Sequence, residues 1–204
     1  MAGKRTSRIH WLNMNKTRLE AFSDGVLAII ITIMVLELKI PHGTDLAALK
    51  PLLPIFLSYV LSFIYLGIYW NNHHHLLQAT RQINGKILWA NLHLLFWLSL
   101  VPFATGWMGE NHFTPLPTAL YGVVLLGAAI AYELLQHLII KYHGSDYVLA
   151  EAVGKDWKGK ISLAFYITAI PMAFINQWIA DAFYIAVAAI WLIPDRRIES
   201  KISG

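Results

Sequence analysis

Apolar residues recur in six long stretches, opening at Arg18 and covering roughly 18–38, 51–77, 87–108, 116–140, 161–175 and 178–193. A helix needs about 20 mainly apolar residues to cross a bilayer, so the first four stretches are long enough and the last two are short. Only Asn176 and Gln177 separate those two, and Pro171 lies inside the fifth. Two short tilted helices and a re-entrant hairpin both fit, and both return the chain to the same side. The pattern predicts an all-α integral membrane protein, a single six-helix unit over residues 1–204. No linker, low-complexity run or internal repeat divides it.

Composition agrees with the pattern. The chain is 57% hydrophobic and 14% charged, with a mean hydropathy of +0.51, whereas soluble domains carry about a quarter charged residues. It has no cysteine, which excludes disulfides and thiolate metal sites. A net charge of +4 and a pI of 9.3 raise nucleic-acid binding, and the placement of the basic residues decides against it. With the N-terminus inside, the inner segments collect Lys4, Arg5, Arg8, Lys16, Arg18, Arg81, Lys86, Lys141, Lys155, Lys158, Lys160, Arg196, Arg197 and Lys201. Only Lys39 and Lys50 fall outside. This asymmetry follows the positive-inside rule and predicts both termini in the cytoplasm of a multi-pass cell-membrane protein. The basic, polar N-terminus reads as a retained cytoplasmic segment, since no cleavage-like site follows a short apolar core.

Topology then sets the depth of the polar residues. Ser23 and Asp24 open the first helix on the inner side. Trp70, Asn71, Asn72 and the run His73–His75 close the second, Asn91 and His93 open the third, and Glu133 and His137 lie in the inner third of the fourth. Ionisable groups at membrane depth usually face the bundle and pair. The expectation is one inner belt, with Asp24 held by Trp70, His73 and Asn91. Successive helical side chains diverge by about 100°, so three consecutive histidines cannot close on one metal ion. Glu133 and His137 are better spaced but too few, because a metal needs three or four ligands. Neither a metal nor another cofactor is expected. No Gly-x-Ser-x-Gly elbow or His-Glu-x-x-His motif is present, so the chain does not read as an enzyme.

On the first helix, Arg18, Phe22, Gly25, Ile29, Ile33 and Leu36 fall within roughly 40° of a common line, with Thr32 at its edge. Such a stripe faces lipid, protein core or a pore, where an apolar ring gates by dewetting. Spacing alone leaves all three open.

The segment Arg18-x-x-x-Phe22-Ser23-Asp24-Gly25, followed by an Ile/Leu/Val run ending in Leu36-Glu37, resembles the signature of the transmembrane protein 175 family of endosomal and lysosomal potassium channels. Trp70-x-x-His73-His74, Asn91 with Leu95-Phe96, and Ser99-x-x-Pro102-Phe103-x-Thr105 extend the likeness over the first three helices, about half the chain. The resemblance implies six helices per repeat, the first lining a central pore. It also implies that a single-repeat chain is the homotetrameric prokaryotic form. The family's constriction maps onto Ile29, and later pore-facing positions map onto Thr32, Ile33 and Leu36. Its motif residues, here Arg18, Phe22, Ser23 and Asp24, pack against the second and third helices. Potassium and other monovalent cations are the implied partners.

These readings predict passive potassium-permeable conduction. No Thr-Val-Gly-Tyr-Gly loop is present to form a carbonyl filter, and no Gly or Pro interrupts the first helix beyond Gly25. Selection at apolar rings implies modest preference for potassium, which surrenders water more readily than sodium. The alternative is a proton-coupled secondary transporter using the His/Asp/Glu belt. A membrane-embedded metal or haem protein rests on the histidines alone.

Overall fold

The computed structural model describes residues 16–144 and 156–192. The inner-side residues Lys4, Arg5, Arg8, Lys155, Arg196, Arg197 and Lys201 lie outside the described residues. Every regular element among those described is helical: α1 (Lys16–Leu36), a 3-10 segment (Leu46–Leu52), α2 (Leu53–Ala79), α3 (Gly85–Ser99), α4 (Val101–Glu110), α5 (Pro115–His143), α6 (Trp157–Met172) and α7 (Gln177–Leu192).

Four segments are long and apolar enough to cross a membrane: 16–36, 46–79, 85–110 and 115–143. The predicted boundaries shift for local reasons. Pro54 opens α2, where its missing N–H costs nothing, and the residues before it form the 3-10 turn capped by Asp45, whose Oδ1 accepts from Ala48 N at 3.1 Å. The third apolar stretch, expected as one helix, is interrupted at Leu100. Pro102 has no N–H to donate to Leu98, so the Leu100 N–H closes a tighter turn on Trp97 O at 3.2 Å before α4 resumes. The fifth stretch starts earlier than its apolar run, at Trp157, because Asp156 Oδ1 caps it through Gly159 N at 3.0 Å. It ends one residue after Pro171. The last two stretches are therefore a helical hairpin of 16 residues in each arm.

α5 runs through the centre, against α3, α4, α6 and α7, while α1 stands at one side on α2, α3 and α4. Small residues permit the closest approaches, as is usual where helices pack in lipid. A Cβ on Gly127 of α5 would collide with the Trp97 ring of α3, and one on Gly109 of α4 would strike Ser58 Oγ and the α2 backbone. A tyrosine core fills the middle of the bundle, with Tyr121, Tyr166 and Tyr184 fully enclosed. Ser62 Oγ bridges Thr105 Oγ1 at 2.6 Å and the Tyr121 hydroxyl at 3.0 Å.

Candidate functional site

The two faces of α1 divide its work. Leu19, Ser23, Leu27, Ile30 and Met34 are buried against the bundle. On the other side, Phe22, Ile29, Ile33 and Leu36 are 52%, 59%, 42% and 80% exposed within the single chain. Arg18, Gly25 and Thr32 share that exposure. The stripe read from the sequence is thus the face of α1 that the described residues leave uncovered. Thr32 Oγ1 donates to Ile29 O at 2.9 Å, which commits its proton to the helix and turns the hydroxyl lone pairs outward as acceptors. Beside the stripe, α1 and α4 enclose an open groove of about 550 Å³, lined by Ile29, Ile33, Pro102, Phe103 and Trp107.

The C-terminal end of α1 is tied to α4. Lys39 Nζ meets Glu110 Oε1 at 2.5 Å. The hydrogen bond and charge of Glu110 push the Lys39 ammonium above the ordinary lysine range. Glu37 lies over Gly106, where an added Cβ would stand 3.2 Å from its Oε2.

At the inner end the motif residues divide. Ser23 is buried, and its Oγ donates to Leu19 O at 2.9 Å. Asn91 Nδ2 donates to Ser23 Oγ at 3.0 Å, and Asn91 Oδ1 meets His73 Nε2 at 2.6 Å. Three helices therefore join through one amide. Asp24, expected at the centre of this set, is exposed and, among the described residues, accepts only from Trp70 Nε1, at 3.1 Å. The reason is the 100° step between neighbours: once Ser23 points into the bundle, Asp24 points along its edge. Arg18 and Phe22 are exposed, and Arg18 makes no hydrogen bond or ion pair among the described residues.

The histidine run separates in the same way. His73 alone turns inward; His74 stacks on Trp70 with centroids 6.0 Å apart, and His75 meets the edge of His74. His93 accepts from Trp97 Nε1 along its own helix at 3.0 Å. The single belt becomes two groups. Glu133 lies across the bundle beside Asp156, both carboxylates within 2.6 Å of where a Gly159 Cβ would stand. These two carboxylates, Tyr65, Tyr69, Tyr132 and Tyr166 line a small cavity of about 40 Å³. Sequence reasoning passed over Asp181, which is 8% exposed with neither carboxylate oxygen hydrogen-bonded among the described residues. A lone carboxylate within an apolar 16-residue helix was the signal for it.

Residues 18–102 match the family described as endosomal/lysosomal potassium channel TMEM175. A protein of a Chryseobacterium species named a potassium channel is 58% identical over 189 residues, 93% of this chain and 98% of its own length. The human protein named endosomal/lysosomal proton channel TMEM175 is 38% identical over 84 residues, 33% of this chain and 17% of its own. Among solved structures, a lysosomal potassium-selective channel TMEM175 homologue from Chamaesiphon minutus is similar with a TM-score of 0.77 and 26% identity, covering 88% of this chain and 97% of that one.

Proposed function

The chain belongs to the TMEM175 potassium-channel family, and on that footing we propose that it conducts potassium passively along an axis lined by α1 from several copies. One observation carries this reading: the long Ile/Leu stripe of α1 is exposed while the rest of the helix is anchored in the bundle. A single chain offers one such helix, so a closed path needs copies related by rotation, and four is the number that the family resemblance implies. Both termini then lie in the cytoplasm of the cell membrane.

Ile29, Ile33 and Leu36 form successive apolar rings, and Ile29 is the narrowest. In such a ring a continuous water column is disfavoured, so the ion sheds part of its hydration to pass. Potassium sheds water at lower cost than sodium, and the Thr32 hydroxyls replace some of it through their outward lone pairs. The preference for potassium is modest, because no cage of carbonyls surrounds the ion. The anchor through Ser23, Asn91 and His73, with Asp24 and Trp70 at its edge, fixes the rotation of α1 about its own axis and keeps the stripe on the path.

Ion flux into liposomes holding the purified protein tests the reading, with potassium, sodium and a potassium-ionophore control. Potassium flux driven by its own gradient, exceeding sodium flux by a modest factor, is the expected result. Flux that runs only with an imposed proton gradient would instead support the proton-coupled transporter.

A further inference from the structure

On the flank of α3 away from α1, a second groove opens between α3 and α5, with a volume of about 840 Å³. Trp89 and Ala90 form one wall and Leu134 and Leu138 the other. Trp89 is 75% exposed and Leu134 42%, so the walls, mainly apolar with His93 on the α3 side, are left uncovered by the described residues. α3 begins at this end of the molecule and α5 finishes there, so their inner ends coincide. Lys86 stands at that end on α3. Lys141 follows Leu134 and Leu138 at helical spacings of seven and three residues, on the same face of α5 and one turn further inward. Both lysines are exposed, and neither forms an ion pair among the described residues. Among the described residues no carboxylate lines the groove.

An occupant must therefore bring an anion at the inner end and a long apolar portion running toward the membrane centre. We propose that the α3–α5 groove binds an anionic glycerophospholipid, with its phosphate between Lys86 and Lys141 and an acyl chain along Trp89, Leu134 and Leu138. The proposal rests on the orientation given above, which sets the two lysines at the cytoplasmic leaflet, where anionic lipids and basic residues meet. Trp89 sits one turn deeper than Lys86, at the level where interfacial aromatic rings anchor. A second copy fits poorly here, since the groove offers it two cations with no carboxylate partner among the described residues, whereas the α1–α4 groove lies beside the exposed α1 stripe.

Native mass spectrometry of the full chain in mild detergent, titrated with phosphatidylglycerol or phosphatidylcholine, tests the site without measuring conduction. Phosphatidylglycerol is expected to be retained in preference to phosphatidylcholine. Exchanging both lysines (Lys86→Ala with Lys141→Ala) weakens its retention roughly thirty-fold, from the usual contribution of each basic residue near an anionic surface. Lys50→Ala, on the outer side, leaves it unchanged. Equal retention of the two lipids, undiminished retention in the double variant, or an equal loss from Lys50→Ala would overturn the assignment. Loss of the oligomer in the double variant would do so too, by making the groove an interface between copies.

Discussion

Asn91 is the residue on which the N-terminal half of α1 depends. Its amide reaches Ser23 on α1 and His73 on α2 at once, and all three side chains are buried. Removing it leaves the His73 ring nitrogen without its partner in a low-dielectric interior, and a void beside it. Asn91→Ala should cost about 2–4 kcal/mol, read as a lowered midpoint of thermal unfolding in detergent. Asp24→Ala removes one exposed hydrogen bond and should cost about 1 kcal/mol. An equal loss from both would return Asp24 to the centre of the network. The sequence reveals the depth of these residues but not their azimuth. Depth follows from counting along the chain, whereas the choice between Ser23 and Asp24 is a rotation of α1 that only its packing on α2 and α3 decides. Asp181 shows the reverse case: its place in an apolar helix was legible, and its burial was not.

Among the elements, the helices themselves were largely legible, because apolar length and the inside bias of basic residues are properties of the linear chain. The interruption at Leu100 was not anticipated, although Pro102 was in view: a proline within an apolar span can sit in a continuous, kinked helix or end one. What decides is how the backbone just before the proline is bonded, and here the Leu100 N–H turns back to Trp97 O and ends the helix. The close contact of α3 with α5 was equally invisible. Gly127 lies flat against the Trp97 ring, and overpacked cores typically lose about 1–3 kcal/mol. Gly127→Ala should lower the unfolding midpoint accordingly, and Trp97→Leu in the same chain should recover most of the loss. Additive losses in the double variant would mean that the two side chains do not meet.

For the whole molecule, the exposed α1 stripe and the adjoining α1–α4 groove leave a large apolar face uncovered. Four copies about one axis would bury it and close the path, so mass measurement in mild detergent should give a tetramer; a stable monomer would exclude a shared pore. Within such a tetramer, α1 would line the pore through Ile29. Ile29 is exposed and its neighbour Ile30 is buried, so the two residues separate pore lining from packing. Ile30→Asn should cost about 2–5 kcal/mol by placing an amide in the core, and should reduce the yield of assembled protein. The most direct measurement is single-channel recording of Ile29→Asn with potassium and sodium. Hydration of the ring should raise conductance and erode the preference for potassium, while an assembled variant with wild-type conductance and selectivity would contradict the account.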